Sequence, residues 1–423
     1  MNHNFNLPVN SKKRIIIIGA GFAGLKLARK LANSKYQVVV IDKQNYHQFQ
    51  PLFYQVAASG IEPSSISFPV RKAFHEFPNL HFRNTLLLEV DTAKSIIKTT
   101  AGELRYDFLV IATGVNTNYF GNANIQKYAL PMKSTSEAIY LRNRILETFE
   151  AAILSTSKVG QEKLLSVAVV GGGPTGVELS GAIAELRSFV LEKDYPELDF
   201  SLMKIRLYEA GPRLLNGMSE NAGTKAVKFL EKINVEIHLN TPIADYDGET
   251  ITLGDKSTLA CKNLIWSAGV TGKQIQGLDN SVYTRGSRMV VDRNNKVLNT
   301  TNIFAIGDIA YMETEKYPKG HPQVAQVAIQ QARVLAMGLI KNKWYPFEYN
   351  DKGSMATIGR KMAVVDLPKL KFSGTLAWFI WLFVHLMSIV GVKNRLFIFI
   401  NWASSYFSRD QSLRIIIKPF LKT

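Results

Sequence analysis

The sequence predicts an α/β fold in which one β-α-β design is used twice and a tail of amphipathic helices follows. Three observations lead there. The segment Arg14 to Gly24, RIIIIGAGFAG, is an apolar run of β-branched residues ending in glycines, and Ser166 to Gly176, SVAVVGGGPTG, repeats it about 150 residues later. Each passes into a helical pattern, LKLARKLANS and VELSGAIAEL. Each helix is then answered by a strand pattern ending in an acid, QVVVI before Asp42 and KIRLY before Glu209. The third observation is Phe372 to Val392, 21 residues without a formal charge inside a basic C-terminal region.

A length of 423 residues, 46% hydrophobic and 20% charged, allows two or three domains with substantial cores and excludes a disordered or fibrous chain. The formal net charge of +17 calls for an anionic partner. From Arg360 to the C-terminus ten lysines and arginines face two aspartates, so nearly half of the excess lies beside the most apolar part of the chain. That placement points to an acidic phospholipid surface; it does not form the basic, aromatic-interleaved groove of a nucleic-acid binder, and no nucleic acid is expected. The single cysteine, Cys261, excludes an intrachain disulfide, a Cys-x-x-Cys redox centre and a cysteine-built metal site. No metal is expected, and a reducing compartment suits the composition. The first residues lack the basic, apolar and small pattern of a secretory signal, so export is not expected.

Gly19, Gly21 and Gly24 in the first turn, with Phe22 and Ala23 between them, have the spacing that a pyrophosphate needs. So do Gly171, Gly173 and Gly176 in the second, with Pro174 and Thr175 between them. Such a turn lets the backbone approach the phosphates and opens a helix whose free N–H groups face them. A lone glycine pattern is weak evidence. Here each follows an apolar strand, starts a helix and has an acid at the end of the next strand, which makes both units Rossmann-like dinucleotide sites. Asp42 and Glu209 are placed to bind the two hydroxyls of an adenosine ribose. A carboxylate there repels a 2′-phosphate, which favours NADH over NADPH at the second site, with Arg213 nearby as the residue that could still tolerate the phosphate. Two such sites suit a bound FAD and an exchanging NADH, because nicotinamide delivers a hydride that flavin accepts and later releases as electrons, singly or in pairs.

Two further strand-then-glycine segments, YDFLVIATG (106–114) and NLIWSAGV (263–270), lie at similar offsets after the two turns; a third, NIFAIGDIA (302–310), has no evident counterpart. The expected organisation is an FAD domain of residues 11–117 and 296–345, an NADH domain of 118–295 inserted in it, and a C-terminal membrane-association region, 346–423. In that region His385, Ser388 and Gly391 recur at helical spacing with Thr375, Trp378 and Trp381 near the same face. A second segment, LFIFINWASSYF (396–407), mixes apolar residues with Asn401, Ser404 and Ser405. Two amphipathic helices lying in one leaflet explain both, with tryptophans at the interface; a spanning helix and a dimer interface are the alternatives.

Together GAGFAG, NYHQFQPLFYQVAASGIEP (45–63), ATG (112–114), GGGPTGVELSGAIAE (171–185), WSAGV (266–270), AIGD (305–308) and AQVAIQQ (325–331) resemble the type II NADH:quinone oxidoreductases, non-proton-pumping, single-subunit flavoenzymes of membranes. The resemblance runs over essentially the whole chain. It implies oxidation of NADH through FAD with a membrane quinone as acceptor, by a homodimer held peripherally on the cytoplasmic face of a bacterial cell membrane. It implies Thr113, Gly114, Gly307 and Asp308 as further FAD contacts and Gly269 at the NADH site. Gln326 is implied where flavin meets quinone, with Gln330 and Gln331 on the same helix. Glu178 is implied as an acid that helps move protons to quinone. A helix N-terminus favours its ionised form and burial opposes it. A basic residue near the quinone is expected at Lys361, with Arg360 next, and His47 and Gln48 fall in a loop expected near the flavin edge.

Two rival readings remain. A reductase of a soluble ferredoxin- or rubredoxin-type acceptor would share the two nucleotide sites but leave the apolar tail unexplained. A non-enzymatic flavoprotein that senses NADH is allowed by the charge alone.

Overall fold

The computed structural model describes residues 5–408 and 413–418, which form two compact units. The first comprises residues 1–48, 68–116 and 270–351, the second 49–67, 117–269 and 352–423.

The first unit is built on a parallel sheet of five strands in the order Ile303–Ala305, Phe108–Ile111, Arg14–Ile18, Gln37–Asp42 and Leu80–Asn84. Ile15 to Ile17 and Val38 to Val40 are buried completely, which explains their unbroken apolar runs: a central parallel strand is covered on both faces. Helices Phe22–Lys30 and Ala325–Lys341 pack against one another. A three-stranded antiparallel sheet, Leu87–Asp91, Ile96–Thr99 and Gly102–Arg105, completes the unit.

The second unit repeats the plan, with Leu130–Pro131, Asn263–Trp266, Val167–Val170, Ile205–Tyr208 and Val235–His238 in parallel order and an antiparallel sheet of Ile243–Tyr246, Thr250–Leu253 and Thr258–Ala260. The counterpart of NIFAIGDIA is therefore the two-residue strand Leu130–Pro131, which holds the same place beside the glycine-preceding strand.

The unit boundaries differ from the expected ones in three places, the first being that residues 352–423 do not stand apart but belong to the second unit. The insertion ends at Gly269, because Met289–Val290 pairs with Ala310–Tyr311 and keeps residues 270–295 in the first unit. Residues 49–67 belong to the second unit, where the short helix Phe53–Ala57 packs on helices Thr135–Ile153 and Pro174–Leu186.

The tail is not wholly helical. It opens with an antiparallel sheet of Ser354–Gly359, Met362–Asp366 and Lys371–Ser373, followed by helices Thr375–Ser388 and Val392–Ser408. The sheet lies against helix Pro174–Leu186 so closely that a Cβ on Gly181 would stand 1.6 Å from the Ile358 carbonyl oxygen. Among the described residues no helix is long and apolar enough to cross a membrane. Of the tail's basic residues, Arg409 and Lys422 lie outside the described part.

Candidate functional site: two phosphate turns and an aromatic cleft

In the first turn Gly19 has φ +106°, and a Cβ there would meet the Ala112 carbonyl oxygen at 2.3 Å; one on Gly24 would meet the Gly19 carbonyl oxygen at 1.8 Å. These two glycines bring turn, strand and helix together. Around the positions that a Cβ would take on Gly21 and on Gly114 there is open space, a cradle lined by backbone. Asp42 closes the turn from below: the Ala20 amide donates to its Oδ2 at 2.6 Å and the Gln44 amide to its Oδ1 at 2.8 Å. Burial nudges its carboxyl up and these amides oppose that. Beside the turn His47 is buried, with Nδ1 on the Ala20 carbonyl oxygen and Phe22 edge-on to its ring. Burial lowers its pKa, and its buried Nε2 has no hydrogen-bond partner among the described residues. On the neighbouring turn Gly307, at φ +77°, donates its amide to Gln331 Oε1, while the Arg288 guanidinium is hydrogen-bonded to the carbonyl oxygens of Asp308 and Ala310. A nucleotide cradle and an unpartnered buried ring nitrogen beside it fit a bound FAD.

The second turn has the same construction. A Cβ on Gly176 would stand 1.9 Å from the Gly171 carbonyl oxygen, the space at Gly173 is open, and Pro174 takes the first helical position, where its missing N–H costs nothing. Glu209 accepts from Gly172 N at 2.6 Å and from Gly211 N at 2.7 Å. Gly269 follows the neighbouring strand at φ +77°. Arg213 is turned to Asn216, to which Nε and Nη2 donate at 2.9 and 2.8 Å, and not toward Glu209.

The helix that starts at this turn reaches a third feature. Glu178, one turn in, faces a cleft within the second unit. Trp378, Trp381, Trp402 and Tyr406 of the two tail helices line it, together with Tyr54 and Gln55. Its polar wall is Glu178, Glu185, Thr357 and Arg360. Glu178 is 8% exposed, and burial pushes its carboxyl up to about 8, although the Thr357 amide, donating at 3.3 Å, and the Trp381 indole pull the other way. Burial therefore outweighs the helix end, and the carboxyl is mostly protonated at neutral pH. Gln55 ties the cleft together: its Nε2 donates to the Tyr54 hydroxyl at 2.8 Å and its Oε1 accepts from the Trp402 indole at 2.8 Å.

Several expected residues fall elsewhere. The tail tryptophans line the cleft: Trp381 is 1% exposed and stacks on His385 with ring centres 3.9 Å apart, while Trp378 and Trp402 are half-buried. Of the two cations, Arg360 lines the cleft and lies over the Tyr406 ring at 4.1 Å, whereas Lys361 sits at φ +63° in the strand turn and lines the next cleft. Gln326 is the second residue of its helix in the first unit, and Gln330 exchanges two hydrogen bonds with the Asn350 backbone. Sequence reasoning missed Tyr54, Gln55, Trp402, Arg288 and Glu185. Glu185 had a signal: it stands seven residues, two helical turns, after Glu178.

Two sheets of one plan, each with a phosphate turn and an acid, define a flavoprotein reductase with two dinucleotide sites. The family model of pyridine nucleotide-disulphide oxidoreductases matches residues 13–332, and that of the NDH2 C-terminal domain matches 352–410. Two relatives from Mycobacterium tuberculosis are the type II NADH:quinone oxidoreductase NdhA, 36% identical over 98% of this chain and 91% of its own length, and Ndh, 35% identical over 94% and 89%. The solved structure of NDH2 from Plasmodium falciparum in complex with NADH has the same fold, with TM-score 0.89 at 22% identity, covering 96% of this chain and all of that one. The chain belongs to the type II NADH:quinone oxidoreductase family.

Proposed function

We propose that this chain oxidises NADH through FAD and reduces a quinone held in the aromatic cleft, and that it does so without pumping protons. The observation that carries the acceptor is the cleft: flat aromatic walls suited to a quinone ring, with a protonated carboxyl, Glu178, as a donor to one of its oxygens. FAD bound at the first turn would supply the two-electron chemistry that links a nicotinamide hydride donor to the acceptor. That turn and Asp42, Thr113, Gly114, Gly307 and Asp308 hold the FAD, with Gln331 and Arg288 fixing the Gly307–Asp308 turn. The second turn, Glu209 and Gly269 hold NADH. Because Glu209 offers a carboxylate and Arg213 is engaged with Asn216, NADPH is disfavoured. Glu178 supplies a proton to the quinone oxygen, and Arg360 steadies the negative charge that develops there. Lys361 lies one residue away as a reserve cation.

The outward faces of the tail helices supply the membrane contact. Leu376, Phe379, Phe383 and Met387 on one helix and Leu396, Phe399, Ile400 and Phe407 on the other are exposed. An acidic lipid surface suits that apolar band and the lysines and arginines beside it. The proposed setting is the cytoplasmic face of a bacterial membrane, with a homodimer as the working form, which light scattering of purified protein measures.

The test is NADH oxidation by purified, flavin-loaded protein. The proposal expects a large acceleration by a soluble quinone analogue over oxygen alone; equal rates would remove the quinone. A ferredoxin-type protein as the better acceptor would favour the rival reductase reading.

A further inference from the structure

Three parallel strands of the second unit, Asn263–Trp266, Val167–Val170 and Ile205–Tyr208, end side by side, with Trp266 and Tyr208 on either side of Val170. The glycine turn follows the middle strand, Glu209 follows one neighbour, and Gly269 lies three residues past the other. A dinucleotide bound across such strand ends has its pyrophosphate at the turn. With its adenosine ribose at Glu209, its other half extends toward Gly269.

Phe120 stands at that end. A Cβ on Gly269 would lie 2.7 Å from the Cζ of the Phe120 ring, so the ring rests on the glycine backbone. It also meets Trp266 edge-on, with ring centres 6.4 Å apart. Nevertheless Phe120 is 68% exposed. Its backbone has φ +52°, and Gly121 follows at +81°. Bulky residues rarely adopt that conformation, which asparagine or glycine would hold with less strain. Among the described residues no other exposed large apolar side chain stands on such a backbone. What the position gains from phenylalanine is therefore the ring itself. The loop that carries it is pinned: the Trp266 indole donates to the Asn118 carbonyl oxygen at 2.8 Å, the Asn118 amide to the Gly269 carbonyl oxygen at 3.3 Å, and the Phe120 amide to Asn118 Oδ1 at 2.8 Å. An exposed aromatic ring is thus held in one place, on a strained backbone, at the end of the nucleotide site away from Glu209.

We propose that Phe120 is the contact for the nicotinamide half of NADH, and that its ring makes this site prefer the whole dinucleotide to an adenosine nucleotide alone. The proposal rests on the assignment of NADH to the second turn. A flat, partly apolar ligand ring laid against a rigid phenyl ring removes apolar surface from water without first ordering a flexible side chain. The affinity so gained offsets the strain at φ +52°.

The experiment is steady-state oxidation of NADH by the flavin-loaded protein with a soluble quinone analogue, with ADP as a competing probe of the adenosine half. Phe120→Gly suits the loop's conformation and removes only the ring. It is expected to raise KM for NADH about tenfold while leaving kcat and the inhibition constant of ADP as they are in the wild type. Phe120→Tyr keeps the ring and is expected to keep the wild-type KM. An unchanged KM in Phe120→Gly overturns the proposal. Equal weakening of NADH and ADP in that variant assigns Phe120 to the support of the loop, and overturns it as well. If ADP does not compete with NADH in the wild type, the assignment of NADH to the second turn falls, and this proposal with it.

Discussion

Glu178 sits where a helix end favours the anion and a tryptophan-walled cleft favours the acid, and the cleft prevails. The raised carboxyl fixes two pH dependences. Between its ordinary value near 4.5 and about 8, the folded chain holds a proton that the unfolded chain has released, so this group's contribution to stability falls as pH rises through that window and is neutral below it. Glu178→Gln is accordingly expected to gain stability relative to the wild type above pH 8, by on the order of a few kcal/mol; denaturant titrations at pH 6 and 9 measure it. Its activity is expected to move the opposite way: quinone reduction drops roughly 10²-fold at neutral pH and lacks the decline near pH 8 expected of the wild type. At the other nucleotide contact, Glu209→Gln removes the carboxylate, and its KM for NADH rises about tenfold while discrimination against NADPH shrinks. Steady-state kinetics with both nucleotides decide it.

At the scale of elements, the two turns are built alike, and the proposed assignment of FAD to the first and NADH to the second predicts that they fail separately. Gly24→Ala drives a methyl into the Gly19 carbonyl and is expected to yield flavin-free protein. Gly176→Ala does the same at Gly171 and is expected to keep the flavin yellow but unreduced by NADH. Absorbance before and after NADH addition distinguishes them. These elements were legible because a buried parallel strand, a glycine turn and a helix leave a local pattern within one short stretch. The strand Leu130–Pro131 left none, since two residues carry no period. Glu178 was legible through resemblance, but its ionisation was not, because that depends on burial in a cleft walled by residues about 200 positions away along the chain, with Thr357 and Trp381 opposing the shift. The inward turn of the tail tryptophans was hidden for the same reason: it is set by Gln55 and by the cleft, which periodicity does not contain.

For the whole molecule, charge and apolar surface sit together. Phe379 and Phe383 are 51% and 65% exposed on the outward stripe, so placing aspartates at both is expected to release the protein from vesicles of acidic lipid while leaving its flavin content intact. Flotation assays measure it, and rising salt weakens the wild type's attachment only in part, since the apolar share is not screened. Loss of flavin together with membrane attachment would show that the outward face is needed for folding.

The backbone contact between Gly181 and Ile358 bears on how such a chain can be rebuilt. No side chain fits at position 181, so the helix that begins at the second glycine turn and the sheet that begins the tail meet without any adjustable layer. Grafting this tail onto another two-nucleotide reductase would therefore require a glycine at the matching helix position before any exchange of surface residues mattered. Chimaeras that carry alanine there should express with the tail displaced and open to protease, and restoring that one glycine should seat it.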